Sequence, residues 1–168
     1  PSTLRFTTTI PITLNPSSTR SSGDNDIAST NSGNLITFVK DGNSTLTLNT
    51  RNEHWNGQTQ VNQGAMIVGE NATYSTAIWG NSQNPQRLEV AEGASMGGFG
   101  TIYASEANFA SGSNFLAGLG AASKPVLIVG NGGLNIGDNA TMIIQPSANT
   151  NVDKTYTVVA QISSRESR

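Results

Sequence analysis

A chain of 168 residues and 17.5 kDa is long enough for one domain with a buried core. Its 19 Asn, 19 Ser, 19 Thr, 18 Gly and 6 Pro leave only 20 charged residues and a net charge of −2, which excludes the basic footprint of a nucleic-acid binder. Cysteine is absent, so there is neither a disulfide scaffold nor a thiolate metal site, and no apolar run approaches the roughly 20 residues that cross a bilayer as a helix.

Beginning at Pro1 without a signal peptide, the chain reads as a mature or excised piece, and the lack of Cys suits export in an unfolded state. Residues 1–14 alternate loosely in LRFTTTIPITL and predict strands broken at Pro11. Residues 15–32 hold one large aliphatic, Ile27, and predict a polar loop, so 1–32 is set apart as an upstream strand and loop. From residue 33 short apolar alternations recur: Leu46/Leu48, Met66/Val68, Leu88/Val90, Leu134/Ile136 and Met142/Ile144. The nearest approach to a helix, 104–123, is interrupted by Gly112, Gly118 and Gly120. The polar tail 163–168 carries Arg165 and Arg168 and no hydrophobic anchor; it predicts a linker, with Arg168 a candidate processing point.

Self-similarity decides the fold class. VNQGAMIVGENAT (61–73) aligns without gaps on VGNGGLNIGDNAT (129–141), which places Met66/Val68 and Leu134/Ile136 at equivalent inward positions. The core Val-x-x-Gly recurs at 39, 61, 90 and 129. Short strands with a glycine turn in each unit, and no helices, predict an all-β chain: a right-handed parallel β-helix over 33–162, closed by a C-terminal cap. Trp55, Trp79, Phe99, Tyr103 and Tyr156 fall where the repeat is interrupted or ended, and are expected to fill irregular coils or the cap.

The segments QTQVNQGAMIVGENATY, RLEVAEGASMGGFGTIYA and KPVLIVGNGGLNIGDNATMII, with Gly98-Phe99-Gly100-Thr101-Ile102 and the closing DKTYTVVAQI, resemble the C-terminal passenger repeats of type V autotransporters. The resemblance implies an autochaperone segment, non-enzymatic and without cofactor, that nucleates and caps β-helix folding during surface export of a virulence factor. Its partners would be the passenger's own upstream coils and the downstream β-barrel translocator. Its place would be the outer bacterial surface, tethered or released. Similarity to an actin-recruiting member of the family adds host actin-assembly proteins such as N-WASP. The rival readings are a surface adhesin or host-protein binding module and, behind it, a carbohydrate-active β-helix enzyme.

Chemistry-bearing motifs are few. Gly93-x-Ser95-x-Gly97 spells a nucleophile elbow, yet His54 is the single histidine, precedes Ser95, and three glycines stand where a helix should follow. The cluster is therefore read as a chain turn and Ser95 as non-catalytic. GGLNIGDNA (132–140) departs from calcium-binding nonapeptides at Asn135 and Gly137, leaving Asp138 in a solvent turn. Glu53-His54-Trp55 lacks further ligands and reads as a turn anchored by Trp55. Glu89, between inward Leu88 and Val90, should point outward; with Glu92 it is the carboxylate pair weighed for glycosidase chemistry.

Overall fold

Each short apolar alternation forms one strand, and each intervening Gly/Asn/Ser group turns the chain onto a new face. The computed structural model describes residues 2–16, 27–29, 36–120 and 124–162. Among these described residues there are fifteen strands: β1 Ser2–Thr7, β2 Ile12–Leu14, β3 Ile36–Asp41, β4 Thr45–Leu48, β5 Arg51–Asn52, β6 Gln58–Val61, β7 Ala65–Val68, β8 Ile78–Trp79, β9 Leu88–Val90, β10 Ser95–Gly98, β11 Thr101–Phe109, β12 Asn114–Leu119, β13 Leu127–Ile136, β14 Thr141–Pro146 and β15 Val159–Gln161. A single 3-10 turn, Ala72–Tyr74, is the one helical element among the described residues. Every strand pairing is parallel, and the pairings run β1-β3-β6-β9-β11-β13-β15 and β14-β12-β10-β7-β4-β2. The fold is a parallel β-helix.

The register resolves three faces. On the first, β1, β3, β6, β9, the second half of β11 and the second half of β13 stack in order. The second is β2, β4, β7, β10, β12 and β14. The third holds β5, β8, the first halves of β11 and β13, and β15. Strands β11 and β13 turn the corner from third face to first without a break, by a register shift between Ala104 and Glu106. The described residues make six coils, and β1 and β2 supply the first of them, so the solenoid includes strands upstream of residue 33. The tail 163–168, with Arg168, lies outside the described residues.

Inward columns run through the stack. Ile12, Leu46, Met66, Met96, Phe115 and Met142 form one, and Phe6, Lys40, Val61, Val90, Phe109 and Ile136 another. This corrects the sequence register. Val61 and Val90 are true equivalents, but Leu134 and Ile136 lie on the first face, whereas Met66 and Val68 lie on the second. Met66 is fully buried, while Ile136, in the last coil, is 55 % exposed.

Trp55 and Trp79 lie away from the C-terminal end; they fill the lumen of the second and third coils. Their rings stack at 5.4 Å, Phe38 meets Trp79 edge-on at 4.9 Å, and Phe6 of the first coil stacks on Phe38 at 6.0 Å. The Trp79 indole crosses from the third face to the first, where Nε1 donates to Thr59 Oγ1 at 2.9 Å. That bond explains a hydroxyl in an otherwise apolar column. Lys40, buried and inward, turns its Nζ to the corner and donates to the carbonyls of Asp41 (2.9 Å), Gly42 (2.8 Å) and Gln63 (3.0 Å), tying the second coil to the third.

Two outcomes follow. Met66→Ala should cost about 2–5 kcal/mol in chemical denaturation, through lost burial plus a cavity, whereas Ile136→Ala should cost about 1 kcal/mol or less. Equal losses would overturn the register. Lys40→Met should cost about 1–3 kcal/mol by stripping a donor from three carbonyls. Burial depresses the Lys40 pKa below its ordinary 10.5, so between the depressed value and 10.5 the unfolded chain binds the proton the folded chain has released. Wild-type stability from this site thus rises with pH through that window, and the Lys40→Met deficit should widen there; a deficit flat with pH would refute the linkage.

Candidate functional site

The glycine cluster does two things rather than one. Gly93, in the turn before β10, has φ +75° and open space where a Cβ would project. Gly97 and Gly98 instead lie within β10. A Cβ on Gly97 would meet Leu116 O at 1.9 Å, and one on Gly98 would meet Val68 O at 2.3 Å, so these glycines permit the backbones of adjacent coils to close. Ser95, on the same strand, is half-buried, and its Oγ accepts from Asn114 Nδ2 at 3.3 Å. Ser95→Ala should leave the melting temperature nearly unchanged, whereas Gly97→Ala should lower it sharply or prevent folding. A tolerated Gly97→Ala would contradict the close approach.

The carboxylate that meets Glu89 is Glu106, not Glu92. Asn108 Nδ2 donates to Glu89 Oε1 at 2.9 Å and to Glu106 Oε1 at 3.0 Å, Arg87 bonds Glu106 Oε2 at 2.9 Å, and Asn135 Nδ2 reaches Asn108 Oδ1 at 2.8 Å. Parallel stacking creates this outward ladder by placing Glu89, Asn108 and Asn135 in one column. Sequence spacing between faces conceals it. The hydrogen bond from Asn108 and then that from Arg87 hold Glu106 below the ordinary carboxylate range. An acid–base pair for glycoside cleavage needs one carboxyl held protonated near neutrality, and the donors to Glu106 favour its ionised form.

His54 is exposed beside Glu53, which pairs with Arg51 at 2.9 Å, and Trp55 anchors the turn from beneath. Asp138 stands exposed in the turn before β14. No group of three or more metal-ligating side chains occurs among the described residues. Tyr103 is half-buried on β11, with its carbonyl against Gly80. Tyr156 precedes β15 rather than lying within a strand, and its hydroxyl accepts from the Asn151 N–H at 2.9 Å.

Three surfaces stand out. At the N-terminal end Leu4 and Ile10 are exposed, and Phe6, Ile12 and Leu14 are only half-covered although they pack on the core. At the other end Ile136, Met142, Ile143 and Ile144 are exposed, and an apolar cavity of about 110 Å³ opens over the buried pair Phe109 and Phe115. In each terminal coil the columns of the core continue to the surface. The third surface is a groove of about 570 Å³ at the corner between second and third faces. It exists because corner lengths differ. The fourth coil passes from β10 to β11 through Phe99 and Gly100 alone, while the third and sixth coils make long excursions over 69–77 and 147–158. Those excursions are the walls, and Phe99, 9 % exposed, lies in the floor.

Compared with family models, with curated proteins and with solved structures, the chain finds no match.

Proposed function

We propose that this chain is a folding segment of an autotransporter passenger, a non-enzymatic autochaperone that templates the coils preceding it during export to the bacterial surface. The carrying observation is the first coil. Strands β1 and β2 each have a partner on one edge only among the described residues, and they present Leu4, Phe6, Ile12 and Leu14 as the unfinished ends of core columns. A preceding coil would find there both a row of backbone donors and acceptors and an apolar surface in register.

What lies directly beneath that edge supports the same reading. Phe38, Trp55 and Trp79 form a mutually packed aromatic core in the second and third coils, with Lys40 tying the two together. Parallel pairing is slow to nucleate because loops must close before contacts form, and a prefolded edge removes that entropy cost for the next coil. The downstream β-barrel translocator and host actin-assembly proteins such as N-WASP enter through the sequence resemblance alone.

Deleting residues 2–162 from the exported polypeptide should leave its upstream passenger protease-sensitive and poorly displayed, although the upstream sequence is intact. Phe38→Ala, which removes a fully buried ring at a cost of about 3–5 kcal/mol, should do the same more mildly. An upstream passenger that folds at its normal rate and level after the deletion would reduce the segment to a passive end.

A further inference from the structure

We infer that the groove between the second and third faces binds an uncharged oligosaccharide, seated on Phe99 and hydrogen-bonded by Glu70, Gln145 and Asn149. Its volume, about 570 Å³, falls within the roughly 300–1,000 Å³ of small-molecule sites. The walls come from the third and sixth coils, about three strand spacings or ~14 Å apart, so the trough is elongated along the solenoid axis as a linear chain of sugar rings requires.

Both walls are fixed. Asn71 Oδ1 accepts from Thr73 N at 3.0 Å, which sets the turn of one wall. On the other, Ser147 Oγ and Thr150 Oγ1 donate to Leu119 O at 3.0 and 3.2 Å, while Ser147 N donates to Thr150 Oγ1 at 2.8 Å. The floor is equally constrained. A Cβ on Gly118 would meet Phe99 Cγ at 2.5 Å, so this glycine makes room for the ring, and Phe99 N donates to Gly69 O at 2.9 Å.

The lining selects the ligand class. The exposed Pro146 ring offers flat apolar surface to the axial C–H face of a pyranose, and Phe99, 9 % exposed, adds a small apolar patch beneath it. The Glu70 carboxylate and the Gln145 and Asn149 amides make no side-chain hydrogen bond within the described residues. Planar two-atom groups of this kind pair with vicinal hydroxyls. Among the described residues no Lys or Arg lines the groove and Glu70 is its single formal charge, so phosphorylated, sulfated or carboxylated sugars are repelled rather than held. Nothing in this assignment depends on the folding role proposed above.

Saturation-transfer NMR on the 168-residue chain tests it, with maltotriose and chitotriose as probes, glucose 6-phosphate as the anionic control, and amide shifts to locate the contact. Binding of at least one neutral trisaccharide is expected, with shifts at 70–73, 99 and 145–149. Glu70→Ala and Gln145→Ala, on exposed or half-exposed rims, should each weaken it roughly tenfold while circular dichroism and melting remain as in the wild type. Phe99→Leu keeps most of the buried volume but removes the flat ring, and should weaken binding with its fold intact. The inference is overturned if neither trisaccharide transfers saturation, if the shifts fall outside the groove, if the rim variants bind as the parent does, or if glucose 6-phosphate binds more tightly than the neutral sugars.

Discussion

Successive coils lie one strand spacing apart, about 4.8 Å, and everything else in this molecule is arranged around that distance. It fixes the register of every side-chain column and leaves no room for a Cβ where two corners nest. Gly42 approaches Thr8 O to 2.2 Å, Gly97 approaches Leu116 O to 1.9 Å, and Gly98 approaches Val68 O to 2.3 Å, each measured from the position a Cβ would take. Glycine is therefore required by proximity as much as by dihedral angle. The same spacing aligns like residues into ladders, outward as Glu89–Asn108–Asn135 and inward as the Met-rich column of the second face.

Fixed spacing also forces compensation within the lumen. The triangular interior has a constant cross-section only if a large side chain on one face meets a small or adaptable one opposite. Trp79 reaching Thr59 is one case of this trade. Lys40 is another. Its stem fills the column position held by Phe6 and Val61 in the neighbouring coils, while its ammonium leaves the apolar interior for three carbonyls at the corner. A charge is tolerated because each proton of the ammonium has an acceptor.

The class of the fold was legible because periodicity two, broken by glycine every few residues, admits little besides short strands. The pairs Leu46/Leu48, Met66/Val68 and Leu88/Val90 all face inward, as alternation predicts. The register was not legible from the thirteen-residue match of 61–73 with 129–141. A three-faced coil presents several corners of similar chemistry, and apolar-x-apolar after a Gly or Asn corner occurs on more than one face. A better signal lay in the turn from first face to second. Phe6 and Ile12, Val90 and Met96, Phe109 and Phe115, and Ile136 and Met142 are each six residues apart, and Val61 and Met66 five. That spacing also identifies the first coil in a stretch that local alternation presents as broken at Pro11. The groove was hidden for a related reason: its floor and walls come from three different coils, brought together only by corner length.

Burial is distributed unevenly along the axis, and that asymmetry bears on mechanism. The second to fifth coils hold the fully covered side chains, among them Phe38, Trp79, Met66, Met96 and Leu127, whereas Ile136 and Ile144 of the last coil are 55 % and 48 % exposed. In a solenoid each coil gains stability from its neighbours, so local opening should start where one neighbour is missing and few apolar contacts remain. Among the described residues the sixth coil meets both conditions. The first coil is likewise paired on one edge only among the described residues, but its Phe6 rests on the aromatic group below and its Arg5 pairs with Asp41 of the second coil. Fraying is thereby biased toward the C-terminal end, and order is retained longest in the coils that carry Phe38, Trp55 and Trp79. Because those coils lie nearest β1 and β2, the firmest part of the molecule stands behind the edge that a preceding coil would use.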